Sequence, residues 1–415
     1  MAERQERGRG RVALLLAALL AAGAPEAAEA PTGASPMRVR VVGAAPPARA
    51  YAEIAADILD LAFGLEDGRA LRALGRFEKP VRVRVEGRAP PALGPELDAL
   101  LARLRAEAGL DVALAAPGGS AGIVVEAVPA AEIARAAPGA ACFAAPGAVS
   151  WEGFLAMRGT AALDWAGVAT RTRVAVFVPA GASPQEIRDC LHEEMGQALG
   201  PLGDLRRLPD SAFNDDNVHG ALTGFDVMAI RAVNDPALHA GMTRAEVAAR
   251  LPEVLARINP EGERSGARAE GLEEGMALLA RGREAEDPEE ALAAFRGAEG
   301  AFARSPLLRL HRAEAEAQLA GFALSRGEAE EVLRLTGEAA QVAEAEGDAA
   351  LLATLLFLRA EALEAMGDPA ARGLRLDGLA WARYGWGERA EARLAEVRGL
   401  SPWRLAQATP GEPLP

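Results

Sequence analysis

The sequence predicts an α+β domain built on a mixed sheet, followed by an all-α domain of stacked helical hairpins. Three observations carry this expectation. Between residues 37 and 260, stretches that alternate apolar and polar residues interleave with stretches of helical spacing. A polar, glycine-containing segment at 261–268 then interrupts the pattern and reads as a linker. From 269 to 402 almost the whole chain reads as helix, broken at Arg326-Gly327, Gly347-Asp348, Gly367-Asp368 and Gly385-Trp386-Gly387, and residues 403–415 form a tail.

The chain opens on a basic stretch, Met1–Arg11, an apolar run, Val12–Ala22, and small residues with Ala-x-Ala sites at Ala22-Gly23-Ala24 and Ala28-Glu29-Ala30. That order of regions is the build of a secretory signal peptide over residues 1–30. A Pro follows each site, so the cleavage point is left open. The apolar run is too short to span a bilayer, which takes about 20 residues, and no Cys near it offers a lipid anchor. A periplasmic or secreted chain without a membrane span is expected. Half the residues are apolar, enough for a sizeable core, and the net charge is −14 with Lys nearly absent. Such a charge argues against nucleic acid and anionic membrane surfaces, which need clustered cations. The two cysteines, Cys142 and Cys190, are an even count in an exported chain and permit one disulfide; two buried thiols are the alternative.

The elements follow in order. Met37–Val42 and Val81–Glu86 alternate as half-buried strands do, and Ile123-Val124-Val125 reads as a more buried strand. Tyr51–Phe63 has helical spacing through Ile54, Ile58, Leu59 and Leu61, and Pro95–Ala108 through Leu97, Leu100, Leu101 and Leu104. Ala141-Cys142-Phe143 reads as a strand, and Arg173–Val178 gives the strongest strand signal. The helix after it, Pro184–Leu199, has a capping Ser183, Pro184 at its first position and Glu186 three residues after the cap. Gly200-Pro201 ends it, Gly being able to take positive φ and Pro unable to continue the helix. A polar loop runs through Asp216, and Asp226–Val233 and Arg244–Ile258 read as helices. The C-terminal helices are expected at Glu270–Arg283, Pro288–Arg304, Leu307–Leu324, Gly327–Glu346, Ala349–Met366, Pro369–Tyr384 and Glu388–Val397. Arg-Ala-Glu-Ala recurs from Arg312, Arg359 and Arg389, and Gly282, Ala294, Ala301 and Pro306 have suitable spacing for one tetratricopeptide unit. The region therefore resembles stacked tetratricopeptide hairpins, with an ordinary helical bundle as the alternative.

Most of the chemical information lies in Glu193–Asp204 on and after the Pro184–Leu199 helix. Glu194, Leu199 and Gly200 fit, without a gap, the frame His-Glu-x-x-His-x-x-Gly-x-x-His, in which two His four apart face a metal from one side of a helix and the Glu is the base for metal-bound water. The segment resembles the active-site helix of metzincin zinc peptidases. The three ligand positions hold Glu193, Gln197 and Gly203, so a carboxylate, an amide and no side chain replace three imidazoles. Zinc prefers N and S donors, and Asp204 would stand in only with a shifted turn. Phe213, in Ser211-Ala212-Phe213-Asn214, takes the Met place of the metzincin turn, and Asp226–Val233 is similar to the final helix of matrixin-type members. From Val39 to Pro260 the chain also looks like an uncharacterised family of exported bacterial proteins, with Asp189–Val233 as the specific part. The resemblance implies a zincin-like domain over 37–260.

A competing register pairs His192 with Glu193 and meets Gly196, without a side chain, four residues on; His192 then reads better as a structural residue at the edge of the site. Asp215, Asp216, His219 and Asp226 would add ligands to Glu193 and Asp204, an oxygen-rich set suited to calcium or magnesium rather than zinc; the alternative is a polar turn bonded to its own backbone. Two functional expectations follow. One is a degenerate, non-peptidase site in a binding or scaffolding protein, with a protein or peptide partner held through the helical repeats. The other is a metal-dependent hydrolase, with Glu194 as general base and zinc or calcium on altered ligands. A pair of catalytic carboxylates at Glu193 and Glu194 is disfavoured, because adjacent helical residues point about 100° apart.

Overall fold

The computed structural model describes residues 49–399, apart from residue 66, residues 215–217, residue 261 and residues 263–268. The predicted signal peptide, the strand at Met37–Val42, the tail at 403–415 and all of the linker but Gly262 lie outside the described residues. The chain divides into one unit of residues 1–36 and a second of residues 37–415, which holds every described residue.

The first part of the second unit is α/β. In order it contains α1 (Tyr51–Phe63), β1 (Arg76–Phe77), β2 (Val81–Glu86), α2 (Leu93–Glu107), β3 (Val112–Leu114), β4 (Ile123–Val128), α3 (Ala130–Ala136), β5 (Phe143–Pro146), α4 (Trp151–Met157), β6 (Thr170–Arg171), β7 (Val174–Pro179), α5 (Pro184–Leu199), α6 (Gly224–Val233) and α7 (Arg244–Ile258). Five strands form a mixed sheet in the order β3-β2-β4-β7-β5. β2, β3, β4 and β7 run parallel, and β5 closes one edge antiparallel to β7. β1 and β6 make a separate parallel pair.

β7 shows why the sheet has two cores. Successive side chains of a strand leave by opposite faces. Val174, Val176 and Val178 enter the larger core with α1, α2 and α5, while Ala175 and Phe177 enter a smaller one on the other face. There Phe177 meets Trp151 edge-on at 5.0 Å between ring centroids, and Phe143 and Phe154 complete the cluster. A strand covered on both faces reads as a continuous apolar run, as Val174–Val178 does.

The strand expected at Ala141-Cys142-Phe143 lies further on, at Phe143–Pro146, with Cys142 just before it. The register is set by Phe143 opposite Phe177, which places both rings in the smaller core. Cys142 is bonded to Cys190 of α5, with the Cα atoms 5.9 Å apart. The bridge ties the entry to the edge strand to the motif helix and points to an oxidising, extracytoplasmic environment.

The second part is all helix: α8 (Leu272–Glu284), α9 (Pro288–Phe302), α10 (Arg309–Ser325), α11 (Ala329–Glu346), α12 (Ala349–Ala365), α13 (Ala371–Trp386) and α14 (Ala390–Gly399). Every boundary falls within two residues of its sequence expectation. Consecutive helices pack on one another, and α10 also reaches α12. Gly282 lets the Phe295 ring come so close that an added Cβ would sit 2.5 Å from it. No helix among the described residues is long and apolar enough to cross a membrane.

The helical part docks on the start of α5. Arg188, 1% exposed, donates from Nη1 to the Gly347 carbonyl at 2.7 Å and from Nη2 to Asp189 at 3.0 Å. Ser183 Oγ donates to the Gly385 carbonyl at 2.8 Å. The Gln185 amide accepts from the Ala350 N–H and donates to Asp348. Tyr384 donates to Glu96 of α2 at 2.7 Å, and Arg389 pairs with Glu186. A buried guanidinium is tolerated only when its N–H groups find acceptors, and Arg188 finds them on both sides of the joint.

The Cys142–Cys190 link closes a loop of 48 residues in the unfolded chain. Reducing it, or replacing both cysteines by Ala, is expected to lower the unfolding free energy by about 4 kcal/mol on the chain-entropy estimate. Denaturant titration with and without reductant measures this.

Candidate functional site

The motif helix α5 is assembled from both ends inward. At its start both arms of the capping box are made: Ser183 Oγ accepts from the Glu186 N–H at 3.2 Å, and the Glu186 carboxylate accepts from the Ser183 N–H at 2.7 Å. At its end the last carbonyls are also taken up. Gly200 N–H donates to Gly196, Arg171 donates to Gln197 and Ala198 at 2.7 Å and to Gly200 at 2.8 Å, and the Asn234 amide donates to Leu199 at 2.9 Å. A cation at a helix C-terminus is favourable for the dipole as well. Burial lowers the Arg171 pKa to about 9. Gly200 has φ −155°, not the positive value expected for it. Its lack of a side chain serves close packing instead, since a Cβ there would lie 2.9 Å from Val233 of α6.

The three frame positions have different surroundings. Glu193 is half-buried, while Glu194 and Gln197 are each 5% exposed. The Gln197 amide donates to both oxygens of Asp204, at 3.3 and 3.2 Å. The second frame position is thus joined directly to the neighbour of the third. At the third, the N–H groups of Leu202 and Gly203 both donate to the Leu61 carbonyl at the end of α1, each at 3.0 Å. A Cβ on Gly203 would stand 3.2 Å from the Gly64 carbonyl oxygen and 3.4 Å from that of Leu61. These neighbours are backbone and cannot swing aside, so any side chain at this position would start tightly packed against the end of α1.

Beneath the helix, the Phe213 ring lies against Gly196, where a Cβ would meet it at 2.6 Å. Its turn is held by the fully buried Asp226, which accepts from the Ser211 hydroxyl at 2.5 Å, the Ala212 N–H at 2.9 Å and the Thr223 N–H at 2.7 Å. Burial nevertheless pushes the Asp226 carboxyl above the usual range. Gly196 is also the second position of the competing His192 register, and the Phe213 ring covers it. His192 itself is buried, and its Nδ1 accepts the Leu222 N–H at 2.9 Å, leaving Nε2 to carry the proton of the neutral ring. Burial, then the nearby Arg103 and Arg188 cations, holds its pKa well below the ordinary value.

Of the auxiliary ligands proposed from sequence, His219 has Nε2 3.0 Å from the Pro209 carbonyl and its ring 6.1 Å from that of His311. Asp226 is committed to the Phe213 turn, and Asp215 and Asp216 lie outside the described residues. Among the described residues, no group of three or more His, Cys, Asp or Glu is placed to hold a metal ion. A carboxylate, an amide already bonded to a carboxylate and a crowded glycine do not fit zinc. The residues missed from sequence are Arg171 and Arg188. Each stands in a stretch with no local mark of its distant backbone partners.

Residues 51–253 match the model of a family described as a protein of unknown function (DUF2927). No curated protein and no solved structure matches the chain significantly.

Two outcomes are expected. Gly203→Ala should destabilise the fold by about 1–3 kcal/mol through crowding against backbone, read by thermal or denaturant unfolding. His192 has a folded pKa below its unfolded value, so its contribution is present above about pH 6.5 and is lost as the pH falls below that. The stability drop between about pH 7 and pH 5 should be smaller in His192→Gln than in wild type, by at most about 2 kcal/mol.

Proposed function

We propose that this chain is an exported binding or scaffolding protein, in which a zincin-like domain over 37–260 has exchanged zinc chemistry for packing and is braced by tetratricopeptide-like hairpins over 269–402. The observation that carries this reading is the third frame position. Gly203 is closed in by the Leu61 and Gly64 carbonyls, and its neighbour Asp204 bonds to Gln197 rather than standing open to an ion. The retained frame around it supports common architecture: a mixed sheet feeding a capped helix, a tight turn under that helix, and a following helix. The disulfide supports export, and the signal-like N-terminus agrees with it.

The second reading, a hydrolase with Glu194 as base, draws on one observation. Glu194 keeps the base position and is buried in the helix face beside Gln197, a setting in which catalytic carboxylates are tuned.

Elemental analysis of protein purified without chelator separates the two. The expected result is no stoichiometric zinc or calcium, and no peptidase activity that Glu194→Gln abolishes. One firmly held metal per chain, with hydrolysis lost in Glu194→Gln, would overturn the scaffolding reading.

A further inference from the structure

The sheet part and the helical part each close their own apolar cores, and among the described residues no apolar cluster spans the joint between them. The joint is fastened by polar groups on the first turns of α5. An interface of this kind within one chain is open to relative motion, and its strength follows the charge state of its groups.

Two carboxylates from opposite sides of the joint meet at Arg188 and Gln185. Asp189 comes from α5. Its Oδ1 accepts from both Nε and Nη2 of Arg188, at 3.3 and 3.0 Å. The same oxygen is pressed on Gly220, where an added Cβ would stand 2.3 Å from it. Asp348 comes from the start of α12. Its Oδ1 accepts the Leu351 N–H at 2.9 Å, as the cap of that helix, and the Gln185 amide at 3.3 Å across the joint. Arg188 is already shared with the carbonyls of Gly347 and Gly220, so one guanidinium serves two backbone acceptors as well as Asp189. The other charged groups on this face have partners of their own. Glu96 accepts from Tyr384, Glu186 pairs with Arg389, and Glu346, next to Gly347, pairs with Arg309. His192, one turn further along α5, bonds the Leu222 N–H.

We propose that the joint is a proton-operated clasp, held most firmly with Asp189 protonated and loosened when Asp189 ionises facing Asp348. The protonated carboxyl still accepts from Arg188 through one oxygen and gains a donor on the other. Burial, and with it the charge of Asp348, raises the Asp189 pKa to about 7, against the lowering effect of Arg188 and Gln185. In an opened joint the group returns toward about 4. A carboxyl whose pKa is higher closed than open takes up a proton on closing. Closure is therefore favoured at low pH and weakens as the pH rises to about 7, where the loss is complete. The Asp189 side chain keeps 34% of its surface exposed, which screens part of the effect, so a change of about tenfold between pH 5.5 and pH 8 is expected.

Amide hydrogen exchange on the full chain tests this at one group. The Ala350 N–H lies in the first turn of α12, where amides have no partner within the helix, and it donates across the joint to Gln185 at 3.0 Å. Its protection, corrected for the intrinsic pH dependence of exchange, should fall about tenfold from pH 5.5 to pH 8 in wild type. In Asp189→Asn, which keeps the shape of the protonated group, it should hold its low-pH value throughout. In Asp348→Asn, which keeps the helix cap but removes the facing charge, the fall should move to lower pH. The Val176 amide of β7, in the core of the sheet, should stay better protected than Ala350 at every pH. His192 cannot imitate this result, because its protonation weakens the fold as the pH falls, in the opposite sense. Protection at Ala350 that ignores pH or rises with it, a fall retained in Asp189→Asn or unmoved in Asp348→Asn, or exchange of Ala350 only together with Val176 would overturn the assignment.

Discussion

A helix as buried as α5 cannot leave its terminal amides and carbonyls to water, and the means by which they are satisfied shape much of the molecule. The first turn uses its own Ser183 and Glu186, and the last turn borrows Arg171 from β6 and Asn234 from the end of α6. Each borrowed donor fixes a distant segment. Arg171 holds the β1–β6 pair beneath the helix end, and Asn234 sets how α6 leaves it. Buried polar groups that lose a partner cost about 1–3 kcal/mol each, so these segments move together or not at all.

The same helix has its buried face closed by neighbouring segments. The capped start, the end at Gly200 and the turn carrying Phe213 are features of backbone shape. The space around it is filled from two directions. Phe213 fills the underside at Gly196, and α1 closes on Gly203. Larger side chains at Gly196 or Gly203 would therefore press on a packed ring or on backbone.

Much of this was legible in the sequence, for identifiable reasons. The bounds of α5, α1, α7 and β2 follow from caps and periodicity, which are local signals. The helix breaks at Gly347 and Gly367 likewise need only a residue that accepts positive φ, as both glycines do. Of the long-range pairings the Cys142–Cys190 bridge is legible, from an even cysteine count in an exported chain, while strand register and the reach of buried side chains are not. Ala141-Cys142-Phe143 reads as a strand, whereas the register depends on Phe143 finding Phe177 across the sheet. At Gly200 the sequence points to a conformational role, whereas its lack of a side chain serves the approach of Val233. Arg188 gives no sign in the sequence that its guanidinium ends on a carbonyl belonging to another helix pair.

The joint between α5 and the helical part has an asymmetry of composition. On the α5 side it is made by the side chains of Ser183, Gln185 and Arg188. On the other side main-chain groups, the carbonyls of Gly347 and Gly385 and the N–H of Ala350, act beside the side chains of Asp348, Tyr384 and Arg389. Main-chain groups are the same whatever residue carries them, but Gly347 has φ 78° and a Cβ on Gly385 would lie 2.8 Å from the Ala350 N, so few substitutions at these two positions would leave the joint untouched. An insertion or deletion of one residue would not, because it would shift every carbonyl out of register at once. The helical part is thereby held both to these glycines and to its turn lengths, with Arg188 as the gauge against which they are set.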